Sequence, residues 1–427
     1  MKLATSFTGS RGQRFPAPDV ARGFMLLFIA LANIPFWVAT TRSSAPSDAV
    51  DSVWLWARTL LVDHRAYPLF AMLFGFGLVT MVNRRITSGT RSYLESLPGV
   101  EAGREPTEQE EAWAREQATV DARRLVRRRG LWMVLFGAAH AVLFSGDIIG
   151  TYGLAAVVFA GWLTRKHRKR AMAVSVVATV ATISTMHTMG SHVAAQGLSA
   201  AAVMKQGAGE SATTLLSYVS HGVTSWAVNL STTPISLVVP AMFLGARLAD
   251  TDLIAHPERH RRLLTGVGLG GLGIGAAQWA TGGSLNLWAV PLHQVAGLAG
   301  ACGWLALLAL YAGGPRPDGR LTGLRRLASN VGRRSMTAYL SQTFLFATIF
   351  LALPALTGIQ LHLGEVRAAG IAAVVWLATV GLCTALERGG HAGPFETLLR
   401  TAVARSERRR RLSASPAPVL PTETAAS

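Results

Sequence analysis

One tract limits what this chain can fold into more than any other. An apolar run over 131–163 is introduced by Arg127, Arg128 and Arg129 and interrupted by only two ionisable side chains, His140 and Asp147. As one helix it would measure about 50 Å at 1.5 Å per residue, too long for a single crossing of a ~30 Å hydrocarbon core. It therefore reads as two membrane helices folded into a hairpin at Ser145-Gly146-Asp147. Ionisable groups inside membrane helices are costly and mark functional sites. The chemistry is sought here first.

The rest of the chain supports a membrane reading. Of its 427 residues, 50% are hydrophobic and 15% charged, against about 25% charged in ordinary soluble chains. A net charge of +18 would raise nucleic acid as a partner for a soluble protein. Here the basic residues cluster beside apolar runs, as in cytoplasmic loops facing anionic lipid. Membrane lipids are the expected partners, and nucleic acid is not. Cys302 and Cys383 both lie in apolar runs and read as buried thiols.

Apolar stretches at 20–40, 67–82, 131–144, 148–163, 171–189, 234–248, 263–280, 285–311, 336–356 and 368–386 predict an all-α, polytopic membrane bundle of about ten helices. Segments 84–129, 165–170, 257–262 and 315–334 are rich in Lys and Arg, which places them, with both termini, on the cytoplasmic side. The expected organisation is one transmembrane domain over 1–399. Within it, 84–129 forms a cytoplasmic helix and 190–232 an outer loop with some helix. A basic cytoplasmic tail, 400–427, is expected to be disordered. No internal repeat indicates two related halves.

Several residues are candidates for function, each with a plainer reading beside it. His140, about ten residues into its helix, suits a general base; its plainer role is a hydrogen bond between helices. Asp147, seven residues on, would fix the imidazole tautomer. On a continuous helix, however, the two lie roughly 10 Å apart along the axis. A bridging group, or a hairpin that folds Asp147 back, is needed to join them. Asp147 also reads as a cap for the second arm. Asp19 and Arg22 form an i,i+3 pair at the start of the first span, and Arg22 and Arg333 could each receive a phosphate-bearing donor. Asn33, Tyr339 and Gln342 read as interhelical glue or as substrate contacts. The histidines show no metal-ligand spacing, and no Walker A, G-x-S-x-G or H-E-x-x-H motif is present.

Four patches resemble the DUF418 (YeiB-like) family of bacterial inner-membrane proteins. PDVARGFMLLFIALAN (18–33) is similar to its L-D-x-x-R-G opening with a later Asn, with Pro18 in place of Leu. FAMLFGFG (70–77) is similar to L-F-S-x-L-F-G-x-G, with Ala71 in place of Ser. Arg128, Gly137, His140, Gly146, Asp147 and Tyr152 match a central R-R…G-x-x-H…G-D-I-L-x-x-Y pattern. NVGRRSMTAYLSQ (330–342) and GPFETLLR (393–400) match C-terminal ones. The family is grouped with membrane-bound acyltransferases, including the lysosomal enzyme that acetylates heparan glucosamine.

What the resemblance implies is a multi-pass protein of the bacterial cytoplasmic membrane. It would move an acyl group from a cytoplasmic donor such as acyl-CoA to a hydroxyl or amine of a lipid, glycan or small metabolite. His140 and Asp147 would be catalytic, and Asp19, Arg22, Asn33, Tyr152, Arg333, Tyr339 and Gln342 would bind substrate or donor. No bound cofactor is expected. Many members carry a transporter label, so a proton-coupled transporter or exporter of a small metabolite stays open, with His140 and Asp147 as a proton relay.

Overall fold

The computed structural model describes residues 15–40, 48–100, 103–195, 215–277, 289–315, 320–359 and 361–413. Helix α1 (Pro16–Ala39) opens with proline in its first turn, where the fixed φ suits a helix start and the missing N–H removes no bond. Helix α2 (Ala49–Leu61) is capped by Asp48, which accepts the Asp51 N–H at 2.7 Å. A tight turn leads into α3 (Ala66–Glu95). Helix α4 (Glu108–Ala141) starts with a reciprocal capping box between Thr107 and Glu110. It forms the hairpin with α5 (Ile149–Arg165), and Lys166 turns the chain into α6 (Arg168–Ala195).

Helix α7 (Leu215–Thr232), a 3-10 turn and α8 (Val238–Leu248) form one apolar pair bent by 55°. They are followed by α9 (Arg261–Ala277), α10 (Ala289–Ala312), α11 (Gly323–Arg333) and α12 (Ser335–Ala347). A π-turn over Thr348–Ala352 links α12 to α13 (Leu353–Thr357). Helices α14 (Glu365–Arg388) and α15 (Pro394–Ser413) complete the described chain.

Every regular element among the described residues is helical, and the main core is shared by α1, α3, α4, α5, α8, α10 and α12. Six helices are long and apolar enough to cross a membrane, or seven if the bent α7–α8 pair is one crossing. These six contain the expected spans at 20–40, 67–82, 171–189 and 336–356, the 368–386 span and most of 285–311. Helices α5 and α9 have only 17 residues each, about 25 Å at 1.5 Å per residue.

The stretch read as an outer loop with some helix, 190–232, contains α7, which packs onto the hairpin. Its residues 196–214 lie outside the described set. Residues 400–413, expected to be disordered, are helical. Leu399 and Val403 are buried, and Glu407 reaches Arg85 and Arg128 at 3.7 and 3.6 Å. An amphipathic stripe and charge pairing order this helix. Residues 414–427 lie outside the described set.

Candidate functional site at the hairpin tip

Gly137 on α4 and Gly150 on α5 bring the two arms into backbone contact. A Cβ on Gly137 would run into the Asp147 carboxylate and lie 2.5 Å from the Gly150 nitrogen. Helix α4 ends at Ala141 and the chain reverses over 142–148. Asp147 is thereby folded back to the depth of His140. The 10 Å separation expected for a continuous helix becomes a direct contact, His140 Nδ1 to Asp147 Oδ1 at 2.8 Å. The side chains are 3% and 0% exposed.

Eleven residues of helix from Arg129 to His140 span about 16 Å. That is about half the thickness of a ~30 Å hydrocarbon core.

Irregular backbone at such depth persists only when its polar groups are satisfied inside the protein. The tip meets that requirement. Tyr218 of α7 donates its hydroxyl to the Leu143 carbonyl at 2.8 Å. The Asp147 carboxylate accepts the N–H groups of Ile149 at 3.1 Å and Gly150 at 2.7 Å, and the indole N–H of Trp226 at 3.2 Å. Asp147 therefore serves as the start cap of α5 and the partner of His140 together.

An ionised carboxylate can only accept, so His140 Nδ1 carries a proton and the neutral ring directs its Nε2 lone pair the other way. Nε2 meets Thr343 Oγ1 of α12 at 2.9 Å. Tyr339 packs its ring 5.1 Å from the imidazole. Gln342 donates to the Leu26 carbonyl at 3.3 Å, while its buried side-chain oxygen has no donor among the described residues. Tyr339, Gln342 and Thr343 stand at i, i+3 and i+4, one face of α12. Phe144 meets the imidazole edge-on at 5.9 Å and stacks on Trp37 at 5.6 Å, closing the other side with aromatic rings.

The remaining sequence candidates fall elsewhere. Tyr152 donates to the Tyr67 carbonyl at 2.9 Å and stacks on Phe70 and Phe74, tying α5 to α3. Asn33 is half-buried on α1, and no hydrogen bond joins it to the pair. Arg22 binds Asp19 at 3.3 Å and the Leu73 carbonyl at 2.9 Å. Arg333 binds Asn330 at 2.8 Å and Glu387 at 2.6 Å, and lines a cavity at the arginine-bearing end that Arg22 does not line.

Sequence reasoning missed Thr343, Tyr218 and Trp226. Thr343 had a signal, its place on the polar face of α12. Tyr218 and Trp226 sit in a mildly apolar segment whose packing no local pattern reveals.

Residues 248–406 match the family described as Protein of unknown function (DUF418). No curated protein and no solved structure matches the chain. The matched span runs from the end of α8 into α15. It includes Arg333, Tyr339, Gln342 and Thr343; the hairpin with His140 and Asp147 precedes it. The part of the chain that is similar to DUF418, residues 248–406, supplies the α12 face against which the hairpin tip rests.

Proposed function

We propose that this protein is an integral-membrane acyltransferase in which His140, held by Asp147, is the general base. The observation that carries the reading is the 2.8 Å contact between these two buried side chains, since a buried carboxylate fixes the tautomer and stabilises the imidazolium formed when the base takes a proton. The acceptor hydroxyl or amine of a lipid, glycan or small metabolite would lose its proton towards His140 Nε2. Thr343 Oγ1 stands at that nitrogen, so the proton would pass through the threonine hydroxyl. The acceptor atom would attack the thioester carbonyl of an acyl-CoA, the C–S bond would break, and the proton would leave with the thiol.

In this reading the protein sits in a bacterial cytoplasmic membrane with about ten crossings, short arms included, and both termini inside. The donor approaches the arginine-bearing end near Asp19, Arg22 and Arg333, while Asn33, Tyr339 and Gln342 face the acceptor's route. The test is acyl transfer by purified protein in proteoliposomes. His140→Ala is expected to lower turnover by about 10²–10⁴-fold; full activity in that variant would end the mechanism.

A second reading is favoured by the near-complete burial of the pair, which suits a proton carrier between helices as well as a base. In a proton-coupled transporter or exporter, an unmodified solute would cross on a pH gradient. In an acyltransferase, a modified product would appear without one.

A further inference from the structure

At the arginine-bearing end, a cavity of about 560 Å³ lies between α4, the α11–α12 junction, the end of α14 and the start of α15. Its lining includes Arg129, Arg333, Arg334 and Arg400 against two carboxylates, Glu387 and Glu396.

Both carboxylates are already committed. Glu387 takes Arg333 at 2.6 Å and Arg334 at 2.8 Å. Glu396 occupies the N-terminus of α12, accepting the N–H groups of Met336 at 2.7 Å and Thr337 at 3.1 Å and the Thr337 hydroxyl at 2.5 Å. Among the described residues two guanidiniums are left without a carboxylate. There Arg129 donates only to the Met81 sulfur, at 3.6 Å, and Arg400 only to the Glu396 backbone carbonyl, at 3.4 Å. The buried Nε of Arg333 finds no acceptor among them.

A solvated basic loop would spread its charges into water. These three groups instead come from three helices and face one cavity. Donor forks converging from several directions match a tetrahedral anion with several oxygens. The volume lies in the range of small-molecule sites, roughly 300–1,000 Å³, and exceeds what a bare ion fills.

We propose that this cavity binds the phosphate group of a larger molecule, held by Arg129, Arg333 and Arg400. The assignment stands whether or not His140 serves acyl transfer, because it concerns a separate end of the bundle and is read by binding alone. The phosphate can belong to a soluble pyrophosphate-bearing molecule or to a lipid headgroup.

The test uses the full chain at low salt. One arm titrates protein in detergent with inorganic pyrophosphate by calorimetry. The other compares retention of phosphatidic acid and phosphatidylcholine in nanodiscs by native mass spectrometry. Binding in the first arm assigns a soluble ligand, and selective retention of phosphatidic acid assigns a headgroup.

In whichever arm responds, Arg129→Gln and Arg400→Gln should each weaken binding by about 10–100-fold, the size of one lost charge-assisted contact. Arg91→Gln, at an exposed arginine paired with Glu95 on α3, should change nothing. Arg400 lies at the surface, so its variant carries the test should Arg129→Gln fail to fold. The proposal is overturned if neither pyrophosphate nor phosphatidic acid is distinguished from chloride or phosphatidylcholine. It is overturned equally if folded Arg129→Gln or Arg400→Gln binds like Arg91→Gln.

Discussion

His140 has a different neighbour on each ring nitrogen, a carboxylate on Nδ1 and a hydroxyl on Nε2, and each makes a separable prediction. Asp147→Asn keeps the shape but removes the charge that four donors were folded around. Hydrogen bonds to a charged group contribute about 1.5–3 kcal/mol each, so a clear fall in the thermal unfolding midpoint in detergent is expected. A midpoint within a degree of the parent would show that the carboxylate is not structurally engaged. Thr343→Val, matched in shape, should cost about 1–3 kcal/mol by leaving Nε2 unsatisfied, while Thr343→Ser should keep most of the stability. Equal midpoints for the two would contradict the Nε2 contact.

At this scale the sequence was informative about identity and uninformative about contact. His140 and Asp147 stand out because charge is scarce in apolar runs. A helix continuing past Ala141 would hold them roughly 10 Å apart, and local pattern could not decide between that and a hairpin that folds Asp147 back, which is the arrangement found. What permits it is Gly137, whose missing Cβ leaves room for the returning carboxylate. Gly137→Ala is accordingly expected to push Asp147 away and to lower turnover and stability together, read by assay and unfolding on one preparation.

At the scale of elements, anchoring side chains decide where helices begin. Glu396 belongs to α15 but caps α12, so one residue joins two helices that are distant in sequence. Glu396→Gln removes a charge at a helix N-terminus, where such charges stabilise by about 0.3–1 kcal/mol and more when partly buried. Faster amide exchange at residues 335–338 is expected, with little change at the start of α4.

The start of α4 responds instead to acid. Hydrogen bonds from Arg104, then from the Thr107 N–H, hold the Glu110 carboxyl at about 2, below its ordinary 4.5. A carboxyl lowered on folding stabilises the helix above its unfolded pKa, and that contribution fades as pH falls from about 4.5 towards about 2. Exchange at the first turn of α4 should rise across that window. The capping box was legible in the T-x-x-E spacing. Helix α15 was not read as ordered, because a basic Ser/Ala-rich tail looks solvated until Arg85 and Arg128 are placed opposite its Glu407.

For the whole molecule, apolar length located the six long spans well, since hydrocarbon thickness is a strict ruler. It was less informative about the hairpin, whose turn is buried beneath α7. A cysteine placed at Ser145, in a chain lacking Cys302 and Cys383, should therefore resist membrane-impermeant thiol reagents from both sides of sealed vesicles. A cysteine at Thr90 on α3 should react from one side only. Ready labelling at 145 from either face would place the tip at a surface.

The cover over that tip has a mechanical consequence. Trp226 and Tyr218 tie α7 to the hairpin by two hydrogen bonds, and α7 runs through its bend into α8, where Met242 and Gly245 press on Gly75 and Met72 of α3. Helices α7 and α8 thus form a crank, with the ionisable pair at one end and the wall of α3 at the other. Asp147→Asn would weaken one of the two pins without cutting the second, so the crank would pivot about Tyr218 rather than come away. The Trp226 indole is its built-in gauge. Its near-ultraviolet signal, taken as the difference from Trp226→Phe, should change in Asp147→Asn and stay still when only Tyr218 is replaced.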